Sequence, residues 1–140
     1  MNDNIDIRWM QRFQNFENAF RYLQEMANRE TYSEVDIDAT IQRFEVTFEL
    51  AWKVLQDYLE EEGYTEYRGP KKVLAKAFQD SILVDGETWM RMHEDRNILS
   101  HAYDHKTSRE IFRRIISIYL PAIEAMYTKL KNERDSEVRT

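Results

Sequence analysis

Apolar residues recur along this chain at steps of three and four, the spacing of one face of an α-helix. Trp9, Phe13, Phe16, Phe20, Leu23 and Ala27 form the first such face and predict a helix from about Ile7 to Asn28. Tyr32-Ser33-Glu34 reads as a linker or helix start. A long second helix is expected from Val35 to Glu62, with Gly63 as the residue that ends it. At ~1.5 Å per residue that helix spans about 40 Å. It carries two apolar stripes: Ile37, Ile41, Phe44, Phe48, Leu55 and Leu59 on one side, Val46, Leu50, Val54 and Tyr58 on the other. A helix with two apolar stripes needs cover on both, which predicts either a central position or a subunit interface. A homodimer is expected on this ground.

Arg68-Gly69-Pro70 interrupts the pattern, and Pro70 suits the first turn of a third helix reaching about Asp80. Asp85-Gly86 marks a turn, and a fourth helix should begin near Glu87. Thr107-Ser108-Arg109-Glu110 has the form of a capping box opening a fifth helix, whose core face would be Ile111, Ile115, Ile118, Ala122 and Ala125. Pro121 should kink it. After Leu130 the chain turns polar and should fray. With three glycines and two prolines in 140 residues, long uninterrupted elements are favoured over strands and turns. The expected fold is all-α, an antiparallel four- to five-helix bundle, as a single domain over 1–140 with its core at about 7–130 and a polar tail at 131–140.

Composition narrows the function. Cysteine is absent, which excludes disulfides and thiolate metal sites. No apolar run approaches the roughly 18 residues of a membrane span, and the start lacks a signal-peptide pattern. A cytoplasmic protein with no membrane contact is expected. The net charge of −6 argues against coating nucleic acid broadly, but it is uneven. Residues 1–66 hold six Lys/Arg against fifteen Asp/Glu, whereas residues 67–114 hold ten against seven. An anionic ligand would be met in that second region.

That region contains Asp95-Arg96-Asn97-Ile98-Leu99-Ser100-His101-Ala102-Tyr103-Asp104. Its Arg-x4-His-x-Tyr spacing gathers a fixed cation, an imidazole and a phenol. Imidazole moves protons near neutral pH, and the guanidinium fork matches phosphate. Together they suffice for metal-free RNA cleavage: the imidazole takes the ribose 2′-hydroxyl proton and the guanidinium stabilises the phosphorane. On one ideal helix, five residues turn a side chain by about 140°, so Arg96 and His101 would not share a face. Either the helix ends near Ser100, or the pair is completed across a dimer, and the dimer is the favoured expectation. The plainer alternatives are a structural histidine at 101, an Arg96 salt bridge to Glu94, Asp95 or Asp104, and a packed Tyr103 ring. His101 and His105 have a chelating spacing, but Asp104 is the one nearby third ligand and 104–107 reads as a turn, so neither a metal site nor a cofactor is expected. Lys71, Lys72 and Lys76 could track a phosphate backbone, although a solvated helix face is the simpler reading.

Arg96-Asn97-x3-His101-x-Tyr103-Asp104 resembles the signature of HEPN-domain proteins, specifically the HepT-like, nucleotidyltransferase substrate-binding protein family. Arg43-Phe44-Glu45-Val46-Thr47-Phe48-Glu49-Leu50-Ala51-Trp52-Lys53 is similar to that family's second-helix block. Gly69-Pro70-Lys71 with Ala77-Phe78, and Asp85-Gly86-Glu87-x-Trp89, are similar to its third and fourth segments. The resemblance covers about Phe13 to Tyr127. It implies a dimeric helical bundle partnered by a minimal nucleotidyltransferase. In the HepT type it implies a toxin–antitoxin pair, with this chain as a metal-independent endoribonuclease toxin and the nucleotidyltransferase as antitoxin. Arg96 and His101 would then be catalytic, Asn97, Asp95 and Asp104 supporting, and Tyr103 the hydroxyl that receives AMP. The family's older name implies an alternative, a non-catalytic substrate-binding subunit in which Glu45, Glu49, Trp52 and Lys53 line a groove. The simpler reading of those four is a packed Trp52 and an intrahelical Glu49–Lys53 pair.

Overall fold

The structure is a computed structural model that describes residues 3–139, with side chains described from 8 to 137. Helix α1 spans Asp3–Ala27, α2 Glu34–Glu61, α3 Pro70–Gln79 and α4 Gly86–Leu99. The chain then runs as one continuous helical rod through α5 (His105–Arg114), a π-helical turn (Ile115–Tyr119) and α6 (Leu120–Arg139). The fold is an all-α bundle, as the periodicity predicts.

Contacts between helices set the directions. Arg8 pairs with Glu60 at 3.2 Å and Arg12 with Asp57 at 2.6 Å, while Arg29 near the other end of α1 meets Asp36. So α1 and α2 are antiparallel. Phe48 of α2 lies against Trp89 and His93 of α4, and Glu49 meets Arg96. Asp95 of α4 bonds Arg114 and Tyr119 on the rod, whose far end returns along α1, with Tyr127 donating to Glu17 and Arg134 over the Phe13 ring. The result is an up-down-up-down bundle of α1, α2, α4 and the α5–α6 rod, with the short α3 packed on α2 and α4. Its core is aromatic: Trp9, Phe13, Phe16, Phe20, Phe44, Phe48, Trp89 and Tyr119 are all buried.

Local chemistry explains the boundaries. Ser33 caps α2 and Asp36 reciprocates on the Ser33 N–H, a complete capping box. Gly63 has φ +99°, the left-handed conformation that terminates the helix cheaply. Pro70 occupies the first turn of α3. Asp85 caps α4 through the Thr88 N–H.

Four expectations are corrected. The last rod begins three residues earlier than Thr107-Ser108-Arg109-Glu110 suggests, because Asp104 supplies the cap: its Oδ1 accepts the Thr107 N–H at 2.7 Å. The core face of the rod changes after Ile115. Ile118 is 42% exposed and Ala125 is exposed, while Tyr119, Ile123, Met126 and Leu130 are buried. The π-helical turn inserts a residue into the α-helical register, with Leu120 N–H bonding Ile115 C=O, so the steps 111–115–119–123 stay on one side. It lies directly ahead of Pro121, which has no N–H for an ordinary i→i−4 bond. The polar stretch after Leu130 is helical through Arg139, and Trp9 Nε1 donates to Glu137. Lys76 is not part of a solvated basic face: it is buried, 4.0 Å from the Tyr64 ring centroid and paired with Asp80 at 3.0 Å.

The second stripe of α2 is covered in its C-terminal half, where Val54 and Tyr58 are buried. Leu50 is half-buried and Val46 exposed. Among the described residues, no helix is long and apolar enough to cross a membrane.

Candidate functional site

Helix α4 ends at Leu99, and Ser100 to Asp104 form a five-residue loop before α5. The loop is pinned at both ends. Ser100 Oγ bonds the Asn97 carbonyl and the His101 N–H bonds the Ile98 carbonyl, closing α4. Asp104 caps α5, and hydrogen bonds from the Thr107 side chain and backbone hold its carboxyl below the usual carboxylate range. Asp104 is therefore structural in effect: it fixes where the loop ends.

Asp95 braces the same loop from inside. Only 3% exposed, it takes Arg114 Nε on Oδ2 at 2.8 Å and Arg114 Nη2 on Oδ1 at 2.9 Å, and accepts the Tyr119 hydroxyl as well. This planar, bidentate pairing ties the last turn of α4 to the end of α5. Burial, and then the Asp95 bond, raise the Tyr119 phenol, while Asp95 raises Arg114. Neither Arg114 nor Tyr119 stands out in the sequence, since they lie 19 and 24 residues from Asp95.

Arg96, one residue on, faces α2 instead. Its Nη2 lies 3.3 Å from Glu49 Oε1, and the other Glu49 oxygen accepts Trp52 Nε1 at 3.2 Å. The ion pairs suggested with Glu94, Asp95 or Asp104 are replaced by this one, and so is the intrahelical Glu49–Lys53 pair. The Lys53 ammonium sits 5.8 Å from the Trp52 ring centroid. Glu45, a turn before Glu49, is half-buried; burial raises its carboxyl and Arg96 opposes that rise. Two blocks far apart in sequence, Glu45/Glu49/Trp52 and Arg96, thus form one surface.

His101 lies past the helix end, exposed, and its imidazole makes no hydrogen bond or ion pair among the described residues. The 140° separation of an ideal helix no longer applies, because Arg96 is on α4 and His101 on the loop. Tyr103 is 43% exposed. Burial raises its phenol, and the carboxylates of Glu45 and Asp38 raise it further, so the hydroxyl is protonated at neutral pH and lies in reach of α2's acidic face. Asn97 is exposed, with its amide nitrogen 3.5 Å from His93 Nε2. His93 is a residue that sequence reasoning passed over, although its spacing of three and four before Arg96 and Asn97 was there to read. His105 belongs to a separate surface cluster, accepting Arg109 Nε at 2.6 Å beside Glu34. Among the described residues, no three His, Asp or Glu side chains converge as a metal requires.

Chemically, the arrangement offers a guanidinium on a helix end, a free imidazole on the following loop and an accessible phenol two residues later. A family model described as nucleotidyltransferase substrate binding protein like matches residues 11–132. Over 83 residues the chain is 28% identical to a Haemophilus influenzae protein described as a probable ribonuclease HepT. That stretch is 56% of this chain and 57% of the relative, so the match spans little more than half of either. A crystal structure of a protein from Thermus thermophilus superposes with a TM-score of 0.71 at 36% identity, covering 85% of this chain and 98% of that one.

Proposed function

The chain belongs to the nucleotidyltransferase substrate binding protein-like family, and from that membership we propose that it is the HEPN-type toxin of a toxin–antitoxin pair, a metal-independent endoribonuclease governed by a cognate minimal nucleotidyltransferase. The observation that carries the reading is the braced loop: Arg96 on the helix before it, and an unengaged His101 and an accessible Tyr103 upon it.

The imidazole of His101 accepts the proton of a ribose 2′-hydroxyl, and the 2′-oxygen attacks the adjacent phosphorus. Arg96 stabilises the added charge on the phosphorane. The bond to the 5′-oxygen breaks, and that oxygen takes a proton from water or from a second copy's imidazole. The products are a cyclic phosphate end and a 5′-hydroxyl end. DNA lacks the 2′-hydroxyl and is inert. The apolar opening at Val46 and Leu50 on α2 supports a homodimer in which two such loops act together.

Tyr103 is the control point. Transfer of AMP to its hydroxyl, with pyrophosphate leaving and the phenol proton passing to the partner enzyme, puts an anionic phosphodiester and a nucleoside two residues from His101. Negative charge there competes for Arg96, and bulk obstructs the loop.

A second reading, a non-catalytic subunit of the nucleotidyltransferase, has one observation in its favour: Arg96 is already engaged by Glu49. Purified full-length protein, shown by intact mass to carry no nucleotide, separates the two. The nuclease reading requires RNA cleavage in the presence of a chelator, lost in His101→Ala and Arg96→Ala with helicity unchanged. It also requires a gain of one or more adenylyl masses on co-expression with the partner, lost in Tyr103→Phe. Unmodified protein that cuts no RNA and does not inhibit growth overturns the nuclease reading in favour of the second.

A further inference from the structure

His93 takes no part in the chemistry above, yet it lies on α4 three residues before Arg96 and four before Asn97, which puts the three on neighbouring positions of one helical face. Its ring stacks on the buried Phe48 of α2, with centroids 6.1 Å apart and planes 26° from parallel. This contact holds the plane of the imidazole. One ring nitrogen, Nδ1, is buried with no partner, and the Nε of Arg96 is likewise buried and unpaired. The other, Nε2, lies 3.5 Å from the Asn97 amide nitrogen, at the outer limit of hydrogen-bond distance.

The charged groups facing the ring come from every helix around it: Lys71 on α3, Glu49 on α2, and Glu94 and Arg96 on α4. Burial lowers its pKa most and Lys71 next, against Glu49 and Glu94, so the ring is neutral at neutral pH. A neutral ring with its proton on Nδ1 accepts at Nε2, where the Asn97 side-chain nitrogen lies.

We propose, resting on the ribonuclease reading, that His93 is a positioning residue: as a neutral imidazole it accepts a hydrogen bond from the Asn97 side-chain NH2 and so leaves Asn97 Oδ1 as an acceptor for a ribose hydroxyl of the substrate. Asn97 is exposed and able to meet one. An imidazolium at this position sets two donors against each other. The amide then turns over and offers its NH2 where the hydroxyl donor should be received. His93 has a folded pKa below its ordinary value of about 6.5, so the productive arrangement holds at neutral pH and is lost as pH falls through that lowered value.

The test uses the full-length, nucleotide-free protein and a single-stranded oligoribonucleotide in chelator, with kcat and KM followed across mildly acidic to neutral pH. His93→Leu should lower kcat about tenfold with KM little changed. His93→Gln, a neutral side chain that still offers an acceptor, should keep kcat within about threefold and lose the part of the acidic limb that belongs to His93. Imidazole nitrogen NMR of the wild-type protein, a readout independent of turnover, should find Nε2 unprotonated and Nδ1 carrying the proton at neutral pH. If His101→Ala is dead while His93→Leu matches wild type in rate and pH profile, the ribonuclease reading stands and this role for His93 falls. A ring protonated on Nε2 at neutral pH also overturns it. Wild-type protein that cuts no RNA overturns both together.

Discussion

Replacing Asp95 by Asn removes the charge from the most completely engaged buried group near the loop. The carboxylate is 3% exposed and satisfies three donors, two from Arg114 and one from Tyr119. Removing one partner of a buried ion pair costs roughly 3–5 kcal/mol, because the other charge stays behind unpaired. Here the Arg114 side chain keeps 21% of its surface in water, which places the cost near the lower end, about 3 kcal/mol. For a chain of this size, with ~2.1 cal/mol/K of unfolding entropy per residue, that corresponds to a fall of roughly 10 °C in midpoint. Tyr119→Phe removes one hydrogen bond to a charged acceptor and should cost about 1.5–3 kcal/mol. Thermal and urea unfolding of the two variants and their double mutant make the assay. Since both act on one carboxylate, the double variant should lose measurably less than the two single losses combined. A midpoint shift below about 2 °C for Asp95→Asn, or strictly additive losses, would refute the claim that this cluster braces the loop.

Ile123→Ser should cost roughly 3–5 kcal/mol and Ile118→Ser less than about 0.5 kcal/mol; equal effects by urea unfolding would contradict the π-helical shift in register. Asp104 has a folded pKa below its ordinary value, so its contribution is present above about pH 4 and lost as pH falls through the lowered value. Asp104→Ala should therefore lower the midpoint at neutral pH and flatten its pH dependence in the acid range, as followed by circular dichroism. Glu49→Gln frees the Arg96 guanidinium from a carboxylate that competes with phosphate but also loosens its position. On the ribonuclease reading, KM for an oligoribonucleotide and kcat should each fall by up to about fivefold, and an unchanged KM would speak against the competition.

Much of the fold follows from spacing. The α1 face from Trp9 to Leu23 and the first stripe of α2 are buried residue for residue, because a 3.6-residue repeat leaves little choice about which side faces the core. The rod after Ile115 broke that logic: a single inserted residue shifts every later position, and the i→i+5 bond that absorbs it leaves no compositional mark. Helix ends were legible at Gly63 and Pro70, while the start of α5 was misread because Asp104 competed with Thr107 for the cap. At the site, the local sequence singled out Arg96, His101 and Tyr103, which lie on the end of α4 and on the loop after it. It did not reveal that Arg96 turns to Glu49 or that Asp95 turns to Arg114, since such partners depend on which helices become neighbours. His93 was legible by spacing but masked by the stronger Arg-x4-His pattern.

The most direct test of the account is the chemistry of the cut ends. Nucleotide-free protein would be incubated in chelator with an oligoribonucleotide, and with the same oligomer carrying a 2′-deoxy sugar at the cleaved position. Mass analysis should find a cyclic phosphate on one fragment and a 5′-hydroxyl on the other, with no cleavage at the deoxy position and none by His101→Ala. Cleavage that persists at the deoxy sugar, or a 5′-phosphate end, would contradict attack by the 2′-oxygen and with it the roles given to Arg96 and His101.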